Sequence, residues 1–420
     1  MENFIGYRCS LCGAEYEPLK VIYNCPRDKG NLDVVLDIEK ILKEQRRFSS
    51  EASLWRYLPL LPVADPGGQG TPLRFAGWTP LYRPSRLTEQ TSLLHLWIKD
   101  ESSNPTASFK DRASALVVAR AREIGAEVIV TASTGNAGAA LAGMAAALGR
   151  QAVIMAPRNA PAAKVAQLLI FGALVFLIDG NYDQASELAL EAAAEFGWYC
   201  RNTGYNPFTA EGKKTAALEI WEAVERGELI HSLSTPLSIF IPVGDGNIIS
   251  GLHKGFKDLQ AVGKLETIPR LFGIQAEGSA AIARAFEAET ETVTPVEAET
   301  LADSISVNRP ADGVRALRAA RQTGGAYLTV SDRQILSALA ELGKTGIFAE
   351  PAAAAAYAGM IKARHEERIG LEDPVLVLIT GSGLKDVNAA VQAVEPAPVI
   401  EPSLSALKKH LSGRSLKHLT

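Results

Sequence analysis

Cysteine is scarce in this chain: there are four in 420 residues, and three of them fall within the first 25 positions. So few thiols, so unevenly placed, exclude a disulfide framework and fit a reducing cytoplasm. Histidine is rare as well, with six residues and none clustered with a cysteine, so no catalytic metal is expected. Long apolar runs are missing. The longest small-residue stretch, Ala137–Gly149, stops at Arg150 after 13 residues, against the roughly 20 needed to span a bilayer. No membrane association is expected. The opening MENFIGYRCS, with Glu2 and Arg8, lacks the apolar centre of a secretory signal. Nor does one charge dominate, with 43 basic and 47 acidic side chains, so nucleic acid is not an expected partner.

With 47% hydrophobic residues the chain can build two or three packed lobes, which excludes a single small binding module. From about 92 to 390, a β-rich run repeatedly leads through a loop with Gly, Ser or Asn into a longer apolar-periodic segment. The strand candidates are LLHLWIKD (93–100), EVIVTAS (127–133), QAVIMAP (151–157), ALVFLID (173–179), LSIFIPVG (237–244), RLFGIQAEG (270–278) and PVLVLITG (374–381). Helices are expected over 109–124, 161–172, 183–196, 211–226, 330–344 and 352–367. Such alternation implies an α/β fold with a mostly parallel sheet covered on both faces. Ligands then sit beyond the carboxyl ends of the strands. Three appendages stand outside this body: residues 1–36 with the cysteines, a Pro/Gly-rich loop or lid over 62–70, and a linker with a basic tail over 396–420. Gly413 interrupts the tail, which reads as a frayed end rather than a docking or membrane-surface helix.

Chemistry concentrates in three strand-to-helix loops. In SSNPTASFKDR (102–112), Asn104-Pro105 marks a turn, and Ser108 with Asp111 predicts a capping box that puts Lys110 in the first helical turn. The helix dipole there disfavours an ammonium and helps keep the amine nucleophilic. A lone lysine at a helix start is ordinarily a solvated charge, and its neighbours are what change that reading. VIVTAS runs into TGNAG (134–138), a set of hydroxyls, amide and glycine at a helix N-terminus that suits an anion. GDGNIISG (244–251) also follows a buried strand and opens a helix, and its glycines let the backbone approach an oxyanion. It has neither the G-x-G-x-x-G spacing nor GK[ST], so a compact phosphate ester fits better than a dinucleotide or ATP.

In this order, SFKDR, ASTGNAG, EGKKT, GDGN, FAEP and TGSGLKD resemble the pyridoxal-phosphate enzymes of the tryptophan synthase β-like (fold type II) family, and most of all its threonine synthase branch. The likeness spans about residues 75–392. It implies two open, mostly parallel twisted sheets flanked by helices, a site between two α/β lobes of 37–395, and a small zinc-ribbon-like segment over 1–36. It also implies a homodimer, a small amino-acid substrate, and pyridoxal 5'-phosphate held as a Schiff base on Lys110. Asn136 would bond the cofactor's phenolic oxygen, and Gly244, Asp245, Gly246, Asn247 and Ile248 would cradle its phosphate. Thr380 would face the pyridine nitrogen. A hydroxyl cannot keep that nitrogen protonated as a carboxylate would, which suits eliminations and replacements. Ser133, Thr134 and the backbone around Ala137 would take the substrate carboxylate and Lys214 a substrate phosphate, with Ser108 and Arg112 as weaker anion ligands. The reaction implied converts O-phospho-L-homoserine and water to L-threonine and phosphate. β-Replacement on O-phosphoserine, as in a cysteate synthase, would keep almost every motif. A threonine or serine deaminase has no need of Lys214, and an inactive cofactor-binding paralogue has no need of Lys110.

Some features also admit plain structural readings. Lys213 and Lys214 fit two exposed surface charges, and Glu350-Pro351 makes a good helix entry besides lying, by resemblance, near the pyridine ring. Asp245 sets an acid beside the phosphate cradle, with its direction open. Cys9, Cys12 and Cys25 want a fourth zinc ligand at position 28, where Asp28 stands. Structural zinc prefers sulfur and imidazole, so a ribbon that folds without metal is favoured and a structural zinc is the alternative. Cys200, far from the others, is expected to be a core thiol.

Overall fold

The computed structural model describes residues 3–19, 23–180, 182–229 and 235–412. The first three strands, β1 (Phe4–Cys9), β2 (Glu15–Tyr16) and β3 (Leu32–Leu36), form an antiparallel ribbon in the order β2-β1-β3. Next, β4 (Leu81–Tyr82) and β5 (Leu96–Asp100) begin a larger sheet. The chain leaves it to build a second sheet from β6 (Val128–Ala132), β7 (Gln151–Pro157), β8 (Leu174–Ile178) and β9 (Tyr199–Cys200). It then returns with β10 (Ser238–Pro242), β11 (Arg270–Ala276), β12 (Ala326–Val330) and β13 (Val375–Ile379). The larger sheet runs β12-β11-β10-β13-β5-β4 and the smaller β8-β7-β6-β9. Every pairing in these two sheets is parallel except β4 on β5. The expected α/β architecture of two mostly parallel sheets flanked by helices is therefore present.

Why the central strands read as unbroken apolar runs is visible in their two faces. Phe240, Val377, Ile379 and Ile98 point into one core with Tyr357 of the helix Pro351–His365. The alternate residues Ile239, Ile241, Leu376, Leu378 and Trp97 point into another, with Ile249, Leu252 and Phe256 of the helix Asn247–Ala261. Each such side chain contributes about 1.5–3 kcal/mol on burial, and a polar residue on either face would forfeit it.

The helix Phe208–Glu225 lies against both the helix Lys110–Glu123 and the helix Asn247–Ala261. Gly212 permits this approach, since a Cβ there would stand 2.1 Å from the Arg112 carbonyl oxygen. The expected helix starts three residues too late here, at 211, because Pro207 rather than a side-chain cap opens it. The loop 62–70 is no lid over the chemistry. Its Ala64 amide bonds Glu123 and the Pro66 carbonyl accepts from Arg122, so it is pinned at the end of the Lys110 helix opposite Lys110. Fourteen residues at 1.5 Å each separate the two ends by about 20 Å. A helix, Leu404–Ser412, occupies the tail where a frayed end was expected, and residues 413–420 lie outside the described residues. Among the described residues, no helix is long and apolar enough to cross a membrane.

Candidate active site

Both parallel sheets direct strand ends at one region. The loop after β5 carries Lys110, the loop after β6 carries Ser133 to Asn136, β9 is followed by Arg201, β10 by Gly244 to Asn247, and β13 by Thr380. Lys110 is the first residue of its helix, as expected, but the capping box is not formed. Asp111 turns back to accept from the Thr106 amide at 2.6 Å and from its hydroxyl, while Ser108 offers its oxygen to the Lys110 amide at 3.4 Å. The entry is held from outside the helix instead. The Phe109 amide donates to the Thr380 carbonyl at 2.8 Å, and Ser108 pairs with Gly381. The lysine loop and Thr380 are thus joined through backbone. Burial, with the Arg201 cation second, pushes the Lys110 ammonium below the ordinary lysine range, although Glu350 and Asp245 pull the other way. The result is an amine biased toward its neutral, nucleophilic form.

The loop after β10 is shaped for an anion. Gly246 takes φ +90°, and a Cβ there would also meet the Asp312 carbonyl oxygen at 2.8 Å, so only glycine serves. Asn247 begins a 15-residue helix whose first amides have no partner within the helix. Asp245 does not point away. It faces Lys110 and Lys213, and burial raises its carboxyl above the usual range.

Two cations near this loop have no carboxylate ion-pair partner among the described residues. Arg201 is fully buried and bonds only hydroxyls, Thr203 at 2.7 Å and Ser114 at 3.3 Å, while its Nη2 has no partner. Burial pushes its pKa down to about 10. Lys213 is also fully buried and donates to the Asn247 side-chain oxygen at 2.6 Å. Burial, then the charges of Lys110 and Arg201, drive its ammonium far below the ordinary range. An arginine cannot shed its proton to escape, so a buried guanidinium with only hydroxyl partners awaits an anion.

The structure corrects two anion ligands. Lys214 is turned from the site, its ammonium between Glu211 and Asp258, the latter at 2.8 Å. Adjacent residues on a helix point about 100° apart, and packing against the helix Asn247–Ala261 selects Lys213 for the site. Arg112 is consumed by Glu101 and Glu219, at 2.7 and 2.5 Å, with Lys99 closing the cluster on Glu219 at 2.8 Å. Neither side chain is free to hold a ligand.

On the opposite wall Asn136 donates to the Glu350 carboxylate at 2.8 Å. Burial raises the Glu350 carboxyl, more than the Asn136 bond lowers it. Thr134, Asn136, Ser304, Glu350 and Lys385 line a narrow cleft. Glu350 is therefore more than a helix entry. Sequence reading missed Arg201 and Ser304, which lie in no motif, while Lys385 was visible only as part of TGSGLKD. Cys200 is a core thiol, fully buried.

A partly buried, neutral-leaning lysine, a glycine cradle at a helix N-terminus and a hydroxyl on the residue that anchors Phe109, next to the lysine, fit pyridoxal phosphate. Residues 73–381 match the family of pyridoxal-phosphate dependent enzymes. The chain belongs to that family. Among curated relatives of this pyridoxal-phosphate enzyme, the threonine synthase of Methanocaldococcus jannaschii is 36% identical over 96% of this chain and 98% of its own length. The threonine synthase of Methanosarcina acetivorans is 36% identical over 97% and 99%, and that of Mycobacterium leprae 36% identical over 82% and 92%. In solved structures the same fold recurs in threonine deaminase isoform 2 from Solanum lycopersicum, at TM-score 0.65, 21% identity, and coverage of 84% of this chain and 96% of that one.

Proposed function

We propose that this enzyme converts O-phospho-L-homoserine and water to L-threonine and phosphate. The observation that carries this reading is the pair Arg201 and Lys213: beside the cradle for the cofactor's phosphate, which Lys213 touches at Asn247, the site holds two buried cations with no carboxylate ion-pair partner among the described residues. A second phosphate, on the substrate, matches them. Identity of 36% with threonine synthases along nearly the whole chain supports the same substrate.

Bound pyridoxal phosphate would supply an electron sink for the substrate's α and β carbons. Lys110 would hold its aldehyde carbon. Gly244, Asp245, Gly246, Asn247 and Ile248 would seat its phosphate, Thr380 would face the pyridine nitrogen, and Asn136, already on Glu350, would reach its phenolic oxygen. Ser133, Thr134 and Ala137, around the start of the helix Asn136–Ala147, would take the substrate carboxylate, with Ser108 as a further anion ligand. The Lys110 amine, whose ammonium burial and then Arg201 disfavour, takes and returns protons at the substrate carbons. The bond from the γ carbon to the phosphate oxygen breaks, Arg201 and Lys213 hold the leaving group, and water oxygen adds at the β carbon. The expected homodimer is supported by an apolar surface around the edge strand β8, where Leu169, Ile170, Leu174, Phe176 and Leu177 are exposed.

The test is to incubate the purified enzyme separately with O-phosphohomoserine, with O-phosphoserine plus sulfite or sulfide, and with threonine, following phosphate, threonine and keto-acid. Phosphate and threonine from the first substrate are expected. Phosphate from phosphoserine alone, or keto-acid from threonine alone, would replace this reading with β-replacement or deamination.

A further inference from the structure

The N-terminal ribbon carries a feature the chemistry above does not use. Cys9 and Cys25 are buried, Cys12 and Asp28 exposed, and the four potential ligand atoms all lie within 4.8 Å of one another. A zinc tetrahedron with spokes of about 2.3 Å has sulfur–sulfur edges of about 3.8 Å, and Cys12 and Cys25 stand 3.8 Å apart.

The two loops that present these residues repeat each other. In CSLCGA the Cys9 amide donates to Ala14 and the Gly13 amide returns to the Cys9 carbonyl at 3.1 Å. In CPRDKG the Cys25 amide donates to Gly30 and the Lys29 amide returns to the Cys25 carbonyl at 2.9 Å. Gly13 and Lys29, the residues after the second ligand of each loop, both take positive φ, +72° and +60°. Asp28 therefore occupies the backbone station that Cys12 holds in the other loop. Backbone amides bond the metal-facing atoms, Leu11 to the Cys9 sulfur and Gly30 to Asp28 Oδ1 at 2.8 Å, and the Tyr16 hydroxyl lies 3.0 Å from the Cys25 sulfur. Such outer bonds orient metal ligands. Asp28 also has no ion pair among the described residues, and its carboxylate aims at the Cys9 sulfur, 3.3 Å away, rather than at a cation.

The ribbon is tied to the active site by a chain of polar contacts. Arg318 reaches the Ser10 carbonyl, and Asn31, next to the second loop, donates to the carbonyls of Gly204 and Ala311. Arg315 bonds the Leu32 carbonyl and Asp33 on β3, and with the rest of its guanidinium clasps both oxygens of Asp312, at 2.6 and 2.8 Å. Asp312 in turn accepts from the Asn247 side chain at 2.7 Å, and its amide donates to the Asp245 carbonyl. Those two residues belong to the glycine cradle.

We propose that Cys9, Cys12, Cys25 and Asp28 bind one structural zinc ion, and that the ribbon so closed braces the phosphate cradle through Arg315 and Asp312. Zinc joins the two ligand loops to each other and adds to the apolar core that already takes Leu32, Val34 and Leu36 of β3.

The full-length protein, prepared with zinc, should contain one zinc per chain by mass spectrometry. Stripping it with a chelator should lower the melting temperature and weaken pyridoxal phosphate binding, followed by its absorbance, about five- to tenfold. Cys12→Ser, at an exposed ligand, should lose the metal, and Asp28→Cys should hold it against the chelator longer than wild type does. Chelation of the wild type supplies the same comparison if Cys12→Ser does not fold. In Arg315→Gln, cofactor affinity should be low and no longer respond to zinc. Zinc far below one per chain, with no gain in Asp28→Cys, overturns the site. Stoichiometric zinc whose removal leaves cofactor affinity unchanged, or an Arg315→Gln protein that still responds to it, overturns the bracing. No readout uses a substrate, so the identity of the amino acid processed is tested independently.

Discussion

Two clusters of buried cations meet the helix Phe208–Glu225, one at Lys213 and one at Glu219, and they are built oppositely. Around Arg112 and Lys99, the carboxylates of Glu101 and Glu219 answer each positive charge. Around Arg201 and Lys213 the hydrogen-bond partners are hydroxyls and one amide oxygen, with Asp245 and Asp312 the acids that act on Lys213 without an ion pair. The matched cluster is architecture, since its charges are satisfied by the fold alone. The unmatched one leaves a deficit of negative charge that a ligand must fill, and its location beside Lys110 is what makes that deficit useful.

The largest expected effect falls on Lys110, whose ammonium is disfavoured by burial first and by Arg201 second. Lys110→Ala should lower kcat by about 10³-fold or more and abolish the visible absorbance of lysine-bound cofactor; persistence of that band would remove Lys110 from the site. Arg112→Met should destabilise the fold by about 3–5 kcal/mol in urea melts, because Glu101 and Glu219 are left buried without a cation. Arg201→Met should do the reverse, leaving the urea midpoint unchanged or higher while kcat/KM for the phosphorylated substrate falls about 10²-fold. Equal loss of stability in both variants would erase the distinction between the clusters. The neighbours Lys213 and Lys214 repeat the contrast on one helix. Lys213→Met should weaken phosphate inhibition, and Lys214→Met should cost stability without changing it.

The smallest effect is in acid. Burial raises the Glu219 carboxyl, but Arg112 and Lys99 outweigh it and bring the pKa down to about 2 from 4.5. A carboxyl depressed in the folded state contributes stability above pH 4.5 that is lost as the pH falls toward about 2. With Arg112 replaced, Lys99 alone opposes burial, so the carboxyl should be depressed less and the stability lost in acid should shrink. Melts of both proteins across that acid range check the difference.

Much of the fold was legible because buried parallel strands leave unbroken β-branched runs between glycine loops, as in LSIFIPVG and PVLVLITG. AYLTV of β12 escaped, being short and preceded by a pair of glycines, Gly324 and Gly325. The glycine cradle was readable because backbone geometry demands glycine itself at 246. The choice between Lys213 and Lys214 was not, since one residue's rotation matters only once the packing helix is known. Arg201 was least readable of all. What distinguishes it is a missing partner, and absence in three dimensions leaves no mark along the chain.

The position of β13 governs when this enzyme can become complete during its own synthesis. It is the last strand made, yet it lies between β5 and β10 and hydrogen-bonds to both. Until residue 379 has left the ribosome, β5 and β10 have no common neighbour, and the lysine loop has no Thr380 carbonyl to anchor it. The smaller sheet is contiguous in sequence and is free to form first. A chain that stops before β13 lacks both the strand that joins β5 to β10 and the carbonyl that anchors the lysine loop.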